Sequence, residues 1–115
     1  MNKDKLQTIL GEGTILNGEL ISEGIIRFDG RFSGEITGGI VIIGKNAVVH
    51  ANIKCEELTI YGKVNGNVHS KHGVEILSGG ELIGDMKASS SMVRDGAYFQ
   101  GNCEFKSSPG NEHKE

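Results

Sequence analysis

The side chains in this sequence best suited to hold a metal, or to move a proton near neutral pH, are His50, His69, His72 and His113. His69 and His72 are spaced HxxH, which could begin a metal site, with His50 as a third ligand. No matched carboxylate or cysteine accompanies them. His50 also falls in an outward position on a different part of the repeat set out below. Solvated loop histidines are the simpler reading. Glu19 and Glu35 form a second candidate, because paired carboxylates can do acid–base work or bind a cation. They open a column that continues as Asn52, Asn67, Asp85 and Asn102, which reads as a polar outer ladder whose asparagines hydrogen-bond along the stack. Gly11–Glu12–Gly13 and Gly79–Gly80 lack the strand–loop–helix context of a phosphate loop. No serine or cysteine has a plausible base. The residues therefore assign no catalytic, cofactor-binding or metal site, no cofactor and no enzyme.

Composition narrows the classes further. At 115 residues the chain is one domain. The net charge is −3, and the best basic pair, Arg31 and Lys63, is interrupted by Val48, so nucleic acid is not the partner. No apolar run has the length of a signal peptide or a membrane span. Cys55 and Cys103 fall two coils apart, roughly 10 Å and beyond disulfide reach, which favours a reducing cytoplasm.

What positions these side chains is an internal repeat. Six eleven-residue segments begin at Leu10, Ile26, Ile43, Leu58, Ile76 and Val93. Those residues form the first column. The seventh is Leu16, Phe32, Val49, Val64, Leu82 and Phe99, and the eleventh is Leu20, Ile36, Ile53, Val68, Met86 and Cys103. Column five (Thr14, Gly30, Ala47, Gly62, Gly80, Ala97) and column nine (Gly18, Gly34, Ala51, Gly66, Gly84, Gly101) hold only small residues. They suit places where an inward Cβ is crowded or the chain bends. Columns eight and ten are mostly polar, so columns five to eleven alternate as a strand with one buried face. Column three is mixed and reads as a turn in most coils. Links of four to seven residues are expected to hold all the length variation.

A period of 15 to 18 residues is too short for a strand, a helix and a return. It fits an all-β, single-stranded, right-handed parallel β-helix of about six coils, with about three short strands per coil. The expected boundaries are a flexible tail over 1–5, the β-helix over 6–105 and a disordered tail over 106–115. Its expected core ladders are Ile26, Phe32, Ile36, Ile43, Val49, Ile53, Leu58, Val64, Val68, Ile76, Leu82 and Met86.

Over this core the chain resembles the bactofilins. The resemblance is carried by GEGTILNGEL, by F-x-G-E-I over Phe32 to Ile36, by V-N-G-N-V over Val64 to Val68, by L-I-G-D-M over Leu82 to Met86, and by G-A-Y-F-Q-G-N-C over Gly96 to Cys103. It implies nucleotide-independent, end-to-end assembly into non-polar filaments that scaffold other proteins, often at the membrane. The implied partners are the chain itself, a second bactofilin, and membrane or envelope proteins. The implied location is the cytoplasm, at the inner face of the membrane. Some members carry an apolar N-terminal membrane-targeting segment, for which only Leu6, Ile9 and Leu10 could serve here.

Elementary physics points the same way. An uncapped solenoid leaves a strand edge and an apolar ladder open at each end. Leu10, Leu16 and Leu20 are expected at one end, with Val93, Phe99 and Cys103 at the other and Phe105 just beyond the repeat. The expected polymerisation interface is thus Leu10, Leu16, Leu20, Val93, Phe99 and Phe105. The rival reading is an enzyme on a left-handed hexapeptide β-helix, an acyltransferase or a γ-type carbonic anhydrase, with His50 as its catalytic or metal-binding residue. LGEGTI and IGKNAV fit that rhythm, but the four-residue step from column seven to column eleven does not.

Overall fold

A computed structural model describes residues 6–105, with side chains for 8–104. The tails expected at 1–5 and 106–115, and with them His113, lie outside the described residues. Ten strands follow one another: β1 (Leu6–Leu10), β2 (Ile15–Phe28), β3 (Arg31–Ile43), β4 (Val48–Ile60), β5 (Lys63–Asn65), β6 (Val68–Ile76), β7 (Glu81–Ile83), β8 (Met86–Val93), β9 (Tyr98–Gln100) and β10 (Cys103–Phe105). Every pairing between them is parallel, and there is no helix among the described residues. The chain is a parallel β-solenoid of about six turns, each coil stacked on the one before.

Each coil has three faces. The first is the Ile15–Asn17 rung and its successors 31–33, 48–50, 63–65, 81–83 and 98–100. The second stacks 19–22, 35–38, 52–55, 68–70, 86–88 and 103–105. The third begins with β1 and stacks 8–10, 25–28, 40–43, 57–60, 73–76 and 90–93.

Glycine makes the bend between the first two faces. Gly34 and Gly84 sit at φ of 135° and 140°, where L side chains are strained. A Cβ at Gly34 would overlap the Gly18 carbonyl of the coil beneath, and one at Gly84 would overlap that of Gly66. Gly66 and Gly101 repeat both features, while Ala51 holds the same column without a positive φ.

The turn between the third and first faces corrects the expected register. Leu10 pairs with Phe28, and the ladder continues through Ile43, Ile60, Ile76 and Val93. Phe28 and Ile60, not Ile26 and Leu58, therefore stand in the first column. Ile26 and Leu58 are buried too, but in a separate ladder with Val41 and Val74. The cause is turn length. Residues 11–14, 44–47, 77–80 and 94–97 make four-residue turns closed by bonds such as Thr14 N–H to Gly11 O at 3.1 Å and Ala47 N–H to Gly44 O at 3.0 Å. Phe28 and Ile60 reach the first face through only Asp29–Gly30 and Tyr61–Gly62. Length thus varies in the turn as well as in the link, and column three is mixed because it is a turn in four coils and core in two.

The corner between the second and third faces supplies the remaining variation. It takes one more residue after Ser22 and Ser70 than after Gly38, Cys55 and Ala88. In both wider corners a serine Oγ accepts a glycine N–H, from Gly24 at 3.4 Å and from Gly73 at 3.2 Å. Ser70 is 2% exposed, and its hydroxyl has the Gly73 carbonyl at 2.6 Å and the Glu56 carbonyl at 3.0 Å to donate to. This side chain–backbone bonding replaces the ladder bonds that the extra residue interrupts.

The core is the triangular interior. Ile26, Phe32, Ile36, Ile43, Val49 and Ile53 are at most 1% exposed. Leu58, Val64, Val68, Ile76, Leu82 and Met86 are at most 3% exposed. Phe28 adds an aromatic contact, with its ring centroid 5.4 Å from that of Phe32.

Candidate assembly surfaces

The residues with potential for chemistry are spread around the coil. His50 points outward from the first face, His69 from the second, and His72 lies at the corner into the third. No three histidine, cysteine or carboxylate side chains gather among the described residues. His50, which the hexapeptide enzyme reading requires, is an exposed side chain of β4 whose neighbours in the adjoining coils are Ser33 and Asn65.

The column-ten residues form a stack. The Asn67 N–H reaches Asn52 Oδ1, the Asp85 N–H reaches Asn67 Oδ1, and the Asn102 N–H reaches Asp85 Oδ1, each at 3.4 Å. Each side-chain oxygen thus serves the backbone of the next coil just after the glycine bend. Glu19 and Glu35 begin this column.

Both cysteines are free. Cys55 is buried and Cys103 is exposed. Burial pushes the Cys55 thiol up to about 12, although the neighbouring Ser70 hydroxyl opposes the rise. Cys103 shares its column with buried Met86 and Val68 but sits in the last coil, where no strand among the described residues covers it.

The ends differ from the middle in the same way. The rung 15–22 pairs only with β3, and β1 only with β2. At the other end, β9 pairs only with β7 and β10 only with β8. Each terminal rung presents one row of strand backbone groups without a strand partner among the described residues. Leu16 is 38% exposed and Leu20 is partly buried. Val93 is 46% exposed and Phe99 is partly buried. Leu10 differs from the other expected end residues in being only 8% exposed and part of the core cluster. Phe105 pairs with Ala88, so its backbone continues a repeat column that the sequence reading placed it beyond. Its side chain lies outside the described set.

Outward-pointing apolar residues widen both ends, and the column reading passed over them. Ile9, Ile15 and Ile21 are 60%, 70% and 67% exposed near the first end. Met92 and Tyr98 are 50% and 49% exposed near the second. The available signal is an isoleucine, methionine or tyrosine at an outward position that is polar or charged in most other coils.

The family model described as "Bactofilin: Polymer-forming cytoskeletal" matches residues 8–104. Two curated relatives come from Myxococcus xanthus (strain DK1622). Bactofilin BacP is 30% identical over 99 residues, which are 85% of this chain and 41% of BacP. Bactofilin BacO is 29% identical over 99 residues, which are 85% of this chain and 79% of BacO. The chain therefore spans less than half of the first relative. Among solved structures, it superposes on the Thermus thermophilus bactofilin of a cryo-EM reconstruction of double helical filaments, with a TM-score of 0.74 at 24% identity, covering 84% of this chain and 99% of that one. It also superposes on the cytoskeletal bactofilin BacA determined by solid-state NMR, with a TM-score of 0.79 at 24% identity, covering 88% and 97%.

Proposed function

Because the chain belongs to the bactofilin family of polymer-forming cytoskeletal proteins, we propose that it assembles end to end into non-polar filaments, without nucleotide, that scaffold other proteins. The observation that carries this reading is the contrast along one column: Val49 and Leu82 are sealed at 0% exposure, whereas Leu16 at the end is 38% exposed. A second rod abutting an end would cover those side chains and give the open strand edge a partner. Two rods meeting by like ends form an isologous contact, and alternating such contacts give a filament without polarity. The residues assigned to the junctions are Leu16 and Leu20 at one end, and Val93, Phe99 and Phe105 at the other.

The filament works as a scaffold and not as a catalyst. It acts in the cytoplasm, at the inner face of the membrane, with a second bactofilin or membrane and envelope proteins as clients. Two free cysteines fit a reducing compartment. No helix among the described residues is long and apolar enough to cross a membrane. Negative-stain electron microscopy and pelleting of the purified chain without nucleotide test the reading. Filaments are the expected result, and rods that stay monomeric at all concentrations would overturn it.

A further inference from the structure

We propose that the third face is a self-complementary lateral interface, on which a second copy of the chain docks with its rod axis antiparallel. This inference goes beyond end-to-end assembly and rests on the outward rows of that face. Its first three rungs carry isoleucine at four outward positions. Ile25 stacks on Ile40 in one row, and Ile9, Arg27 and Ile42 stack in the other. Its last three rungs carry Glu57, Gly73 and Ser90 in the first row, and Thr59, Glu75 and Met92 in the second. The isoleucine half is an apolar patch in which Ile9 is exposed and Ile25, Ile40 and Ile42 are half-buried. The other half is a shallow groove of about 350 Å³, where Gly73 and Ser90 leave room.

The register determines what an antiparallel partner would meet. A twofold axis along the strand direction, between the third and fourth rungs, turns the face onto itself. It sets the second rung over the fifth and the first over the sixth. Ile25 then lies over Gly73 of the second copy, where there is no side chain to displace. Ile9 lies over Met92, two exposed apolar residues covering each other. Ile42 meets Thr59, and Ile40 meets the stem of Glu57.

The charges match under the same operation. Arg27 is bonded to Asp29 at 3.0 Å, and Arg94 to Glu75 at 2.8 Å, both at the same edge of the face. The twofold places Arg27 opposite Glu75 and Asp29 opposite the guanidinium of Arg94, so four charges alternate in sign, twice per interface. A parallel arrangement gives no such match. Charge complementarity of this kind sets register and suppresses wrong pairings.

The contact is small. Four residues by six rungs cover roughly 350 Å² per copy, against about 800 Å² for a stable pair. Single rods should therefore associate weakly, and a polymer that presents the face repeatedly should pair through many contacts at once. Glu57 and Glu75 lie in the plane of the face and disfavour an anionic lipid surface as the occupant.

A charge swap tests this. Arg27→Glu and Glu75→Arg are assembled separately, with circular dichroism confirming the fold, and single and paired filaments are counted by electron microscopy. Wild type should pair at low salt, and each variant alone should pair about tenfold less while its single filaments persist. Mixing the two variants should restore pairing, because each copy then presents the charge that the other needs. Variants that pair like wild type, a mixture that does not recover, or wild type that forms only single filaments would each overturn the proposal. If no filaments form, end-to-end assembly fails on its own account and the lateral face is still tested. Arg27→Cys and Glu75→Cys chains, both with Cys103→Ser, should form a mixed disulfide when oxidised together at high concentration and none when oxidised apart. A mixture giving no more cross-link than either chain alone would refute the face.

Discussion

Leu16 and Val49 occupy one inward column two coils apart, and Val49 is 0% exposed while Leu16 is 38% exposed. The difference comes from position along the rod, since both side chains point to the interior. An inward residue such as Leu16, on a terminal rung, is half a core residue until another surface covers it.

Interior positions should not tolerate charge. Val64 is 2% exposed, between Val49 and Leu82. Val64→Asp should cost about 3 kcal/mol or more, because it buries an unpaired carboxylate in place of an apolar contact. The expected result is a chain that aggregates or shows a sharply lowered unfolding midpoint by circular dichroism. A variant that melts with wild type would refute the column register.

End positions should tolerate charge and lose assembly instead. Leu16→Arg and Phe105→Arg place a cation at opposite ends. Each alone should stop growth at dimers joined through the unaltered end, and the double variant should be monomeric. Sedimentation velocity with circular dichroism as a fold control reads both effects. A folded double variant that still pelleted as long filaments would rule out end-to-end growth.

Two glycines separate backbone strain from crowding. Gly79 has φ +88° and open space around a would-be Cβ, whereas Gly84 has φ +140° and the Gly66 carbonyl in the way. Gly79→Ala should cost about 1 kcal/mol, from the left-handed conformation alone. Gly84→Ala should cost clearly more, about 2 kcal/mol or above, because the coil beneath must move as well. Chemical-denaturation midpoints measure both, and equal losses would mean that the coils shift apart freely.

The cysteines should differ sharply in their access to a thiol reagent. Exposed Cys103 should react with a thiol reagent at pH 8 in the native protein, and Cys55 only after denaturation, giving one accessible thiol and then two. The folded Cys55 thiol is raised to about 12 from an ordinary value of 9.0. Its contribution to stability is therefore complete below pH 9.0 and is lost as pH climbs towards about 12. Cys55→Ala should remove that part of the alkaline slope, and an unchanged slope would assign it to other groups.

The solenoid, its number of coils, the glycine bend and the twelve inward residues, all of them buried, can be read from the residue pattern. Columns seven, nine and eleven were legible because only one spacing alternates small, apolar and polar residues through six coils, and a Cβ at the bend meets the coil beneath. The first column was not legible in two coils. Ile26 and Phe28 are two apart, share a parity and both point inward, as do Leu58 and Ile60, so hydrophobicity cannot say which one stacks on Leu10 or Ile43. Only the hydrogen-bonded register decides, and it does so through turns of two or four residues that the alphabet of apolar positions does not record. Tertiary structure also separated Leu10, which is covered, from Leu16, which is open, and aligned Arg27 on the second rung with Glu75 on the fifth. Exposure and opposition across a face belong to the stack, and a column of residue types carries neither.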